Sequence, residues 1–222
     1  MRAGATLAVP AAHADYLWLQ QDAGQARAYA GELRKPLQQL PALEDAKQVL
    51  PDGKSLPLKA EANHFTADAG QGDVRIAATR PGANGVLTYY QARFGRNDTK
   101  AVNDLELVPT TAGGDTFQLV FKGRKVAASQ VNVQTSEGWY RTLTPSQDGT
   151  VSFKPYFPGL YVLEVTARVD NGSVTLDGKK YTDVRHTTTL TDTVGRVEGP
   201  SDRRSAIYAE MRRVVSESFA PF

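Results

Sequence analysis

The sequence predicts an all-β protein built from two sandwich-like units and closed by a short C-terminal helix. Three observations carry that expectation. Short apolar runs recur between clusters of Gly, Pro, Asn and Asp along most of the 222 residues, the rhythm of sandwich or barrel strands. In the second half, "TFQLVF", "VNVQT" and "VLEVTARV" alternate apolar and polar residues, the period of a half-buried strand. Asp148-Gly149 and Asp170-Asn171-Gly172 supply the positive φ angles of tight hairpin turns.

Residues 1–14 come first: one charge at Arg2, a short Ala, Leu and Val run, then Pro10 and Ala12-His13-Ala14. This is the order of a secretory signal with a small-x-small cleavage site. It is shorter than the usual roughly 15–30 residues, so the natural start is expected upstream. A plain Ala-rich tail is the alternative. Cleavage after Ala14 discards His13 and makes Asp15 the first residue of an exported, periplasmic chain.

The first unit is expected over residues 15–110. Tyr16 to Gln20 and Ala26 to Gly31 read as strands, and Pro36 to Leu50, with leucines three and four apart, as a short helix or irregular excursion. Pro51-Asp52-Gly53 is turn chemistry. His64 to Ala67, Asp73 to Thr79, Gly85 to Phe94 and Ala101 to Val108 follow as strands. Thr110 to Asp115, small, polar and centred on Gly-Gly, reads as a linker. The second unit is expected over 116–194, with strands at Thr116 to Phe121, Val131 to Thr135, from Trp139, Val151 to Phe153, Val162 to Val169 and Tyr181 to Leu190. In the tail, 199–222, Ile207, Met211, Val214 and Val215 recur at helical spacing behind Ser201, a suitable N-cap. That amphipathic helix docks on the sandwich or receives a partner.

Composition excludes several classes. There is no cysteine, hence no disulfide, zinc finger, iron–sulfur cluster or thiol chemistry. A net charge of +2 with scattered basic residues gives no reason to expect nucleic acid. No window reaches the roughly 20 apolar residues of a membrane span. Gly-x-Ser-x-Gly, His-Glu-x-x-His and phosphate-binding glycine loops are absent from the sequence, so no enzyme class is signalled.

The motifs "FKGRKVAASQVNV", "GWYRTLTPSQDGTVSF", "FPGLYVLEV" and "RHTTTLT", with "AHADYLWLQ" and "LPDGKSLPLKAEANHFTA" ahead of them, make the chain similar to an exported bacterial family, domain-of-unknown-function family 4198. That family was once described as a periplasmic component of cobalt or nickel transport. The second unit also resembles the transthyretin or Cna-B-like Greek-key sandwich; the first is expected to be jelly-roll-like. The resemblance implies a non-catalytic accessory protein of transition-metal uptake, with a receptor or transporter as partner. Asp15 departs from the family pattern, which often has histidine there, and the helical tail is an addition.

A divalent transition metal wants imidazole or sulfur ligands, and the candidates are His64, His186 and Asp15, with Asp183 and Asp192 as further carboxylates. The two histidines are far apart and show no His-x-x-x-His spacing. If Phe65 faces the core, alternation turns His64 to solvent, and His186 shares a face with Val184 and Leu190. Arg185 points the other way, between hydroxyls, as an anion receiver or a solvated residue. Trp18, Trp139 and Tyr140 are candidates for the alternative, a carbohydrate- or protein-binding module without metal. Adjacent pairs such as Tyr89-Tyr90 and Trp139-Tyr140 must put one ring on each face of a sheet. A site is expected where the two units meet.

Overall fold

A computed structural model describes residues 15–22, 24–70, 72–168 and 172–195. The signal-like segment, most of the Asp170-Asn171-Gly172 turn and the expected C-terminal helix lie outside the described residues. The chain forms β1 (Leu17–Asp22), β2 (Gln25–Glu32), β3 (Lys35–Pro36), β4 (Glu44–Val49), β5 (Ser55–Pro57), β6 (Lys59–Ala60) and β7 (His64–Asp68). Next come β8 (Val74–Pro81), a single 3-10 turn at Ala83–Gly85, β9 (Val86–Phe94), β10 (Leu105–Pro109), β11 (Thr116–Phe121) and β12 (Arg124–Val126). The last are β13 (Val131–Thr135), β14 (Tyr140–Leu143), β15 (Thr150–Ser152), β16 (Gly159–Arg168), β17 (Val174–Leu176), β18 (Lys179–Tyr181) and β19 (Asp183–Val194). The all-β expectation holds. No helix among the described residues is long and apolar enough to cross a membrane.

An eight-stranded sheet, in the order β14-β13-β16-β19-β9-β8-β4-β5, is the backbone of the molecule. Its two halves join where β19 pairs parallel with β9, Asp183 opposite Val86 through Thr191 opposite Phe94. Strand alternation then sorts every side chain. Val74, Ile76, Ala78, Tyr90 and Ala92 face one side and pack on Leu17, Leu19, Ala28 and Phe65 of the β1-β2-β7-β6 sheet. Leu163, Val165 and Leu190 face the other side and pack on Leu105, Leu107, Phe117 and Leu119 of the β10-β11-β12 sheet, to which β15 adds. Two smaller sheets thus cover opposite faces of one long sheet. Each fully buried Leu, Val, Ile or Phe contributes about 1.5–3 kcal/mol.

Two expectations are corrected. Thr110 to Asp115 is no linker: the Thr110 N–H donates to the Thr116 carbonyl at 2.8 Å, closing the hairpin between β10 and β11. β10 belongs with the second core because Leu105 and Leu107 alternate into it, so the division at 110–116 cuts through one sheet. In Pro36 to Leu50, Leu37, Leu40 and Leu43 cover the first core from an irregular stretch. Of the two alternatives expected, the irregular excursion holds as far as Leu43 and the helix is not found; Glu44–Val49 is a strand, bulged between Glu44 and Lys47, with Asp45 at φ +49°.

The loop between β9 and β10 is pinned from below by charge. Arg75 and Arg93 stand opposite each other on β8 and β9 and are fully buried. Between them one oxygen of the buried Glu106 carboxylate accepts from Arg75 Nε at 2.8 Å and Arg93 Nη1 at 2.9 Å. The other oxygen accepts the backbone N–H groups of Val102 and Asn103, both at 2.9 Å. Asp73 and Asp98 complete the cluster, Asp73 pairing with Arg93 and Asp98 with Arg75. Buried charges persist when paired and fully hydrogen-bonded, and this cluster meets both conditions.

Candidate functional site

The parallel β9–β19 pairing sets His186 opposite Tyr89 and Thr188 opposite Gln91, all on the face that β10 and β11 cover in part. His186 is only 3% exposed. Its ring stacks on Tyr89 with centroids 4.8 Å apart and meets the edge of Phe121 at 5.1 Å. Its Nδ1 shares a hydrogen bond with the Gln91 side-chain nitrogen at 3.3 Å. Burial pulls the imidazole down to about 4; nearby Asp104 opposes this and Lys122 adds to it. At neutral pH the ring is therefore uncharged.

Around this ring the polar groups are incomplete. Gln91 Oε1, Thr188 Oγ1 and both side-chain amide atoms of Asn103 are buried without a hydrogen-bond partner. If the Gln91 amide is turned over, its oxygen meets the imidazole and its nitrogen is left over instead, so one amide atom is orphaned either way.

Three cavities adjoin these groups. The first, about 230 Å³, mixes Lys47, Gln91, Asn103 and Asp104 with apolar walls such as Val49 and Ala77. A second, about 320 Å³, shares Tyr89 and Asp104 with the first and Phe121 and His186 with the third. The third, about 590 Å³, runs between Leu105, Leu119 and Val126 of one layer and Val165 and Ala167 of the other. These adjoining cavities form a groove along the face of the β9–β19 join, with polar side chains at one end and mainly apolar ones at the other. Its lining comes from β4, β8, β9, β10, β11, β12, β16, β17 and β19, and from the pinned loop that carries Asn103 and Asp104.

The chemistry favoured here is binding. A general base works best with a pKa near the ambient pH, and this imidazole sits far below it. Its hydrogen bond goes to an amide, whereas an activated nucleophile needs a base bonded to a hydroxyl or thiol.

The sequence candidates are scattered. His64 and His186 lie on opposite sides of the central sheet: His64 is on β7, opposite Tyr29, with its ring 5.5 Å from that tyrosine's. Phe65 beside it is buried, so alternation does turn His64 outward, into a half-buried position. Asp15 and Arg185 line a separate cavity on the face away from His186. The proposed ligand set of His64, His186 and Asp15 is therefore not brought together: Asp15 and His186 line cavities on opposite faces of the central sheet, and His64 stands on the separate sheet that covers the first of those faces. No three His, Asp or Glu side chains among the described residues are grouped to hold a metal.

Trp18 is 4% exposed and stacks on Tyr29 at 4.8 Å, so it is a core residue. Trp139 is half-buried against Phe153, Tyr156 and Phe157. Tyr140, on the opposite face, is 47% exposed, its hydroxyl donating to Asn132 at 3.0 Å. Tyr90 is buried in the first core while Tyr89 lines the groove. Sequence reasoning missed Gln91 and Asn103. Gln91 carried one signal: with Tyr89 and Arg93 it makes a polar face on a strand whose other face is apolar. No family model matches the chain, and no curated protein matches it.

Proposed function

We propose that this is an exported, periplasmic, non-catalytic binding protein that holds an uncharged amphipathic small molecule in the junction groove. One observation carries the reading: the buried amides of Gln91 and Asn103 hold unpartnered polar atoms at a cavity. Each such orphan costs about 1–3 kcal/mol, and a ligand head rich in hydroxyl or amide groups removes that cost. The imidazole brings no charge of its own to the site at neutral pH, Lys47 and Asp45 form an ion pair with each other at its edge, and the apolar cavity beyond Phe121 accepts an alkyl or aromatic body. Cavities of roughly 300–1,000 Å³ with few convergent polar groups are typical ligand sites.

The reading absorbs the carbohydrate-binding alternative through the head group. Transition-metal uptake, with a receptor or transporter as partner, rests on the family resemblance alone and gains no ligand set from the described residues. The test uses octyl glucoside below its micelle concentration, with glucose and octanol as half-ligands, followed by calorimetry and thermal shift. The expected result is saturable binding of the whole amphiphile, weaker binding of each half, and loss of at least about tenfold, or 1.4 kcal/mol, in Asn103→Leu. That variant removes two orphaned atoms, so the empty protein becomes more stable while binding fails. An Asn103→Leu protein that is less stable and binds as well as the parent refutes the reading.

A further inference from the structure

On the opposite face of the central sheet, we infer a second site, which takes the carboxylate of a small organic acid on Arg80, Thr88 and Arg185. This site is independent of the groove. Strand register builds it. Arg80 on β8 stands opposite Thr88 on β9, Thr88 opposite Arg185 on β19, and Arg185 opposite Arg168 on β16. Three arginines and a threonine therefore form one row across four adjacent strands, all on the face that carries Tyr90 and Thr187. Strands lie about 4.8 Å apart, so Arg80 and Arg185 flank Thr88 at a spacing their long side chains bridge.

The charges in this row are unevenly matched. Like charges directly opposite each other destabilise a sheet, and Asp183 relieves the Arg168–Arg185 pair: it binds Arg168 Nε at 3.0 Å and Arg185 Nε and Nη2 at 3.1 and 2.6 Å. Arg185 Nη1 remains outside that fork. Arg80, half-buried, has no ion pair among the described residues. Both guanidinium-bearing side chains line one cavity of about 320 Å³, with Thr88 and Thr187 beside them.

The shape and sign of the cavity select the ligand. An arginine fork matches a planar carboxylate with two parallel hydrogen bonds. Beside the arginines the same cavity is lined by Ala83, Val86 and Tyr90, apolar surface suited to a hydrocarbon body. Asp15 lines the same cavity and Asp183 adjoins it; both repel a dianion more than a monoanion, which disfavours phosphate.

Benzoate is the probe, with benzamide as its uncharged isostere and inorganic phosphate as the competing oxyanion, all at constant ionic strength. Binding is followed through the arginine Nε–Hε signals in NMR titrations. The expected result is saturation by benzoate, no saturation by benzamide, and weaker binding of phosphate. Arg80→Gln is expected to weaken benzoate at least about tenfold while octyl glucoside binding in the groove is unchanged, which also shows that the variant is folded. Asp15→Asn, which removes a repelling carboxylate, tightens benzoate. Equal binding of benzamide, tighter binding of phosphate, no saturation by benzoate, or an Arg80→Gln protein that binds like the parent each overturns the proposal.

Discussion

Replacing Glu106 by Gln changes one atom of a fully buried side chain and is expected to be among the most damaging conservative substitutions in the protein. All four hydrogen bonds to this carboxylate come from donors: two guanidinium groups on one oxygen and two backbone N–H groups on the other. A glutamine has one acceptor end and one donor end. If its NH₂ takes the first position it faces Arg75 and Arg93; if it takes the second it faces the N–H groups of Val102 and Asn103. Either way a donor meets donors, and two buried cations lose their shared countercharge. Breaking a buried ion pair by removing one partner costs about 3–5 kcal/mol, against a total stability of about 5–15 kcal/mol. For a chain of this size that lowers Tm by roughly 6–20 °C, at about 2–4 °C per kcal/mol. Urea unfolding followed by far-UV circular dichroism, with exposed Glu137→Gln as control, measures it. A loss below about 1 kcal/mol refutes the reasoning, since it places the cluster among surface pairs that contribute little.

Three further outcomes follow from the same geometry. The His186 imidazole titrates at about 4 in the fold and near 6.5 when unfolded, so between those values the unfolded chain binds more protons. Its contribution is absent above about pH 6.5 and destabilises progressively down to about pH 4, by roughly 3 kcal/mol at most; His186→Gln removes that part of the pH slope, and an unchanged slope in urea titrations at pH 7.5 and 4.5 counts against a neutral buried ring. Tyr161→Phe deletes a hydroxyl that donates to the Phe157 carbonyl at 2.7 Å and accepts the Phe157 N–H at 3.2 Å; a loss of about 1–3 kcal/mol is expected, and one below about 0.5 kcal/mol shows that the corner is ornamental. Gly95→Ala places a methyl at φ +96° against the Asp73 carboxylate, which also holds the Asn97 and Asp98 N–H groups; a lower Tm is expected, and an unchanged one means the loop adapts.

Much of the fold was legible because strands declare themselves locally. Thr116 to Phe121, Val131 to Thr135 and Val162 to Arg168 alternate as a half-buried strand must, and each is found as one. What was hidden is non-local. β9 and β19 are separated by most of the second half of the chain, and nothing in "GVLTYYQARF" or "VRHTTTL" says that they pair, still less in parallel, where the other pairings among the described residues are antiparallel. That one pairing unites the two halves and sets His186 on the face of the central sheet away from His64, while the hairpin at 110–115 follows from the separate β10–β11 pairing. Sheet parity did the rest: Asp15 and Arg185 fell together on one face and His186 on the other, a division fixed only once the partners of β19 are known.

The polar interior gives the strongest argument that the groove has an occupant. On one face of β9, Arg93 and Gln91 are two residues apart, and both are buried. At Arg93 the fold supplies partners for two guanidiniums and three carboxylates, including carbonyls at Gly95 and Asp98. At Gln91, with Thr188 opposite it and Asn103 across the cavity, it leaves polar atoms bare. Loop 95–104 even joins the two: the carboxylate that holds the Asn103 backbone is Glu106, while the Asn103 side chain is turned, unpartnered, toward the groove. The cluster thus acts as the mount on which the binding amide is set, and the Glu106→Gln substitution is expected to loosen ligand along with fold. Titrating octyl glucoside into that variant well below its Tm separates the two effects. Affinity equal to the parent's in the folded variant shows that the cluster serves stability alone.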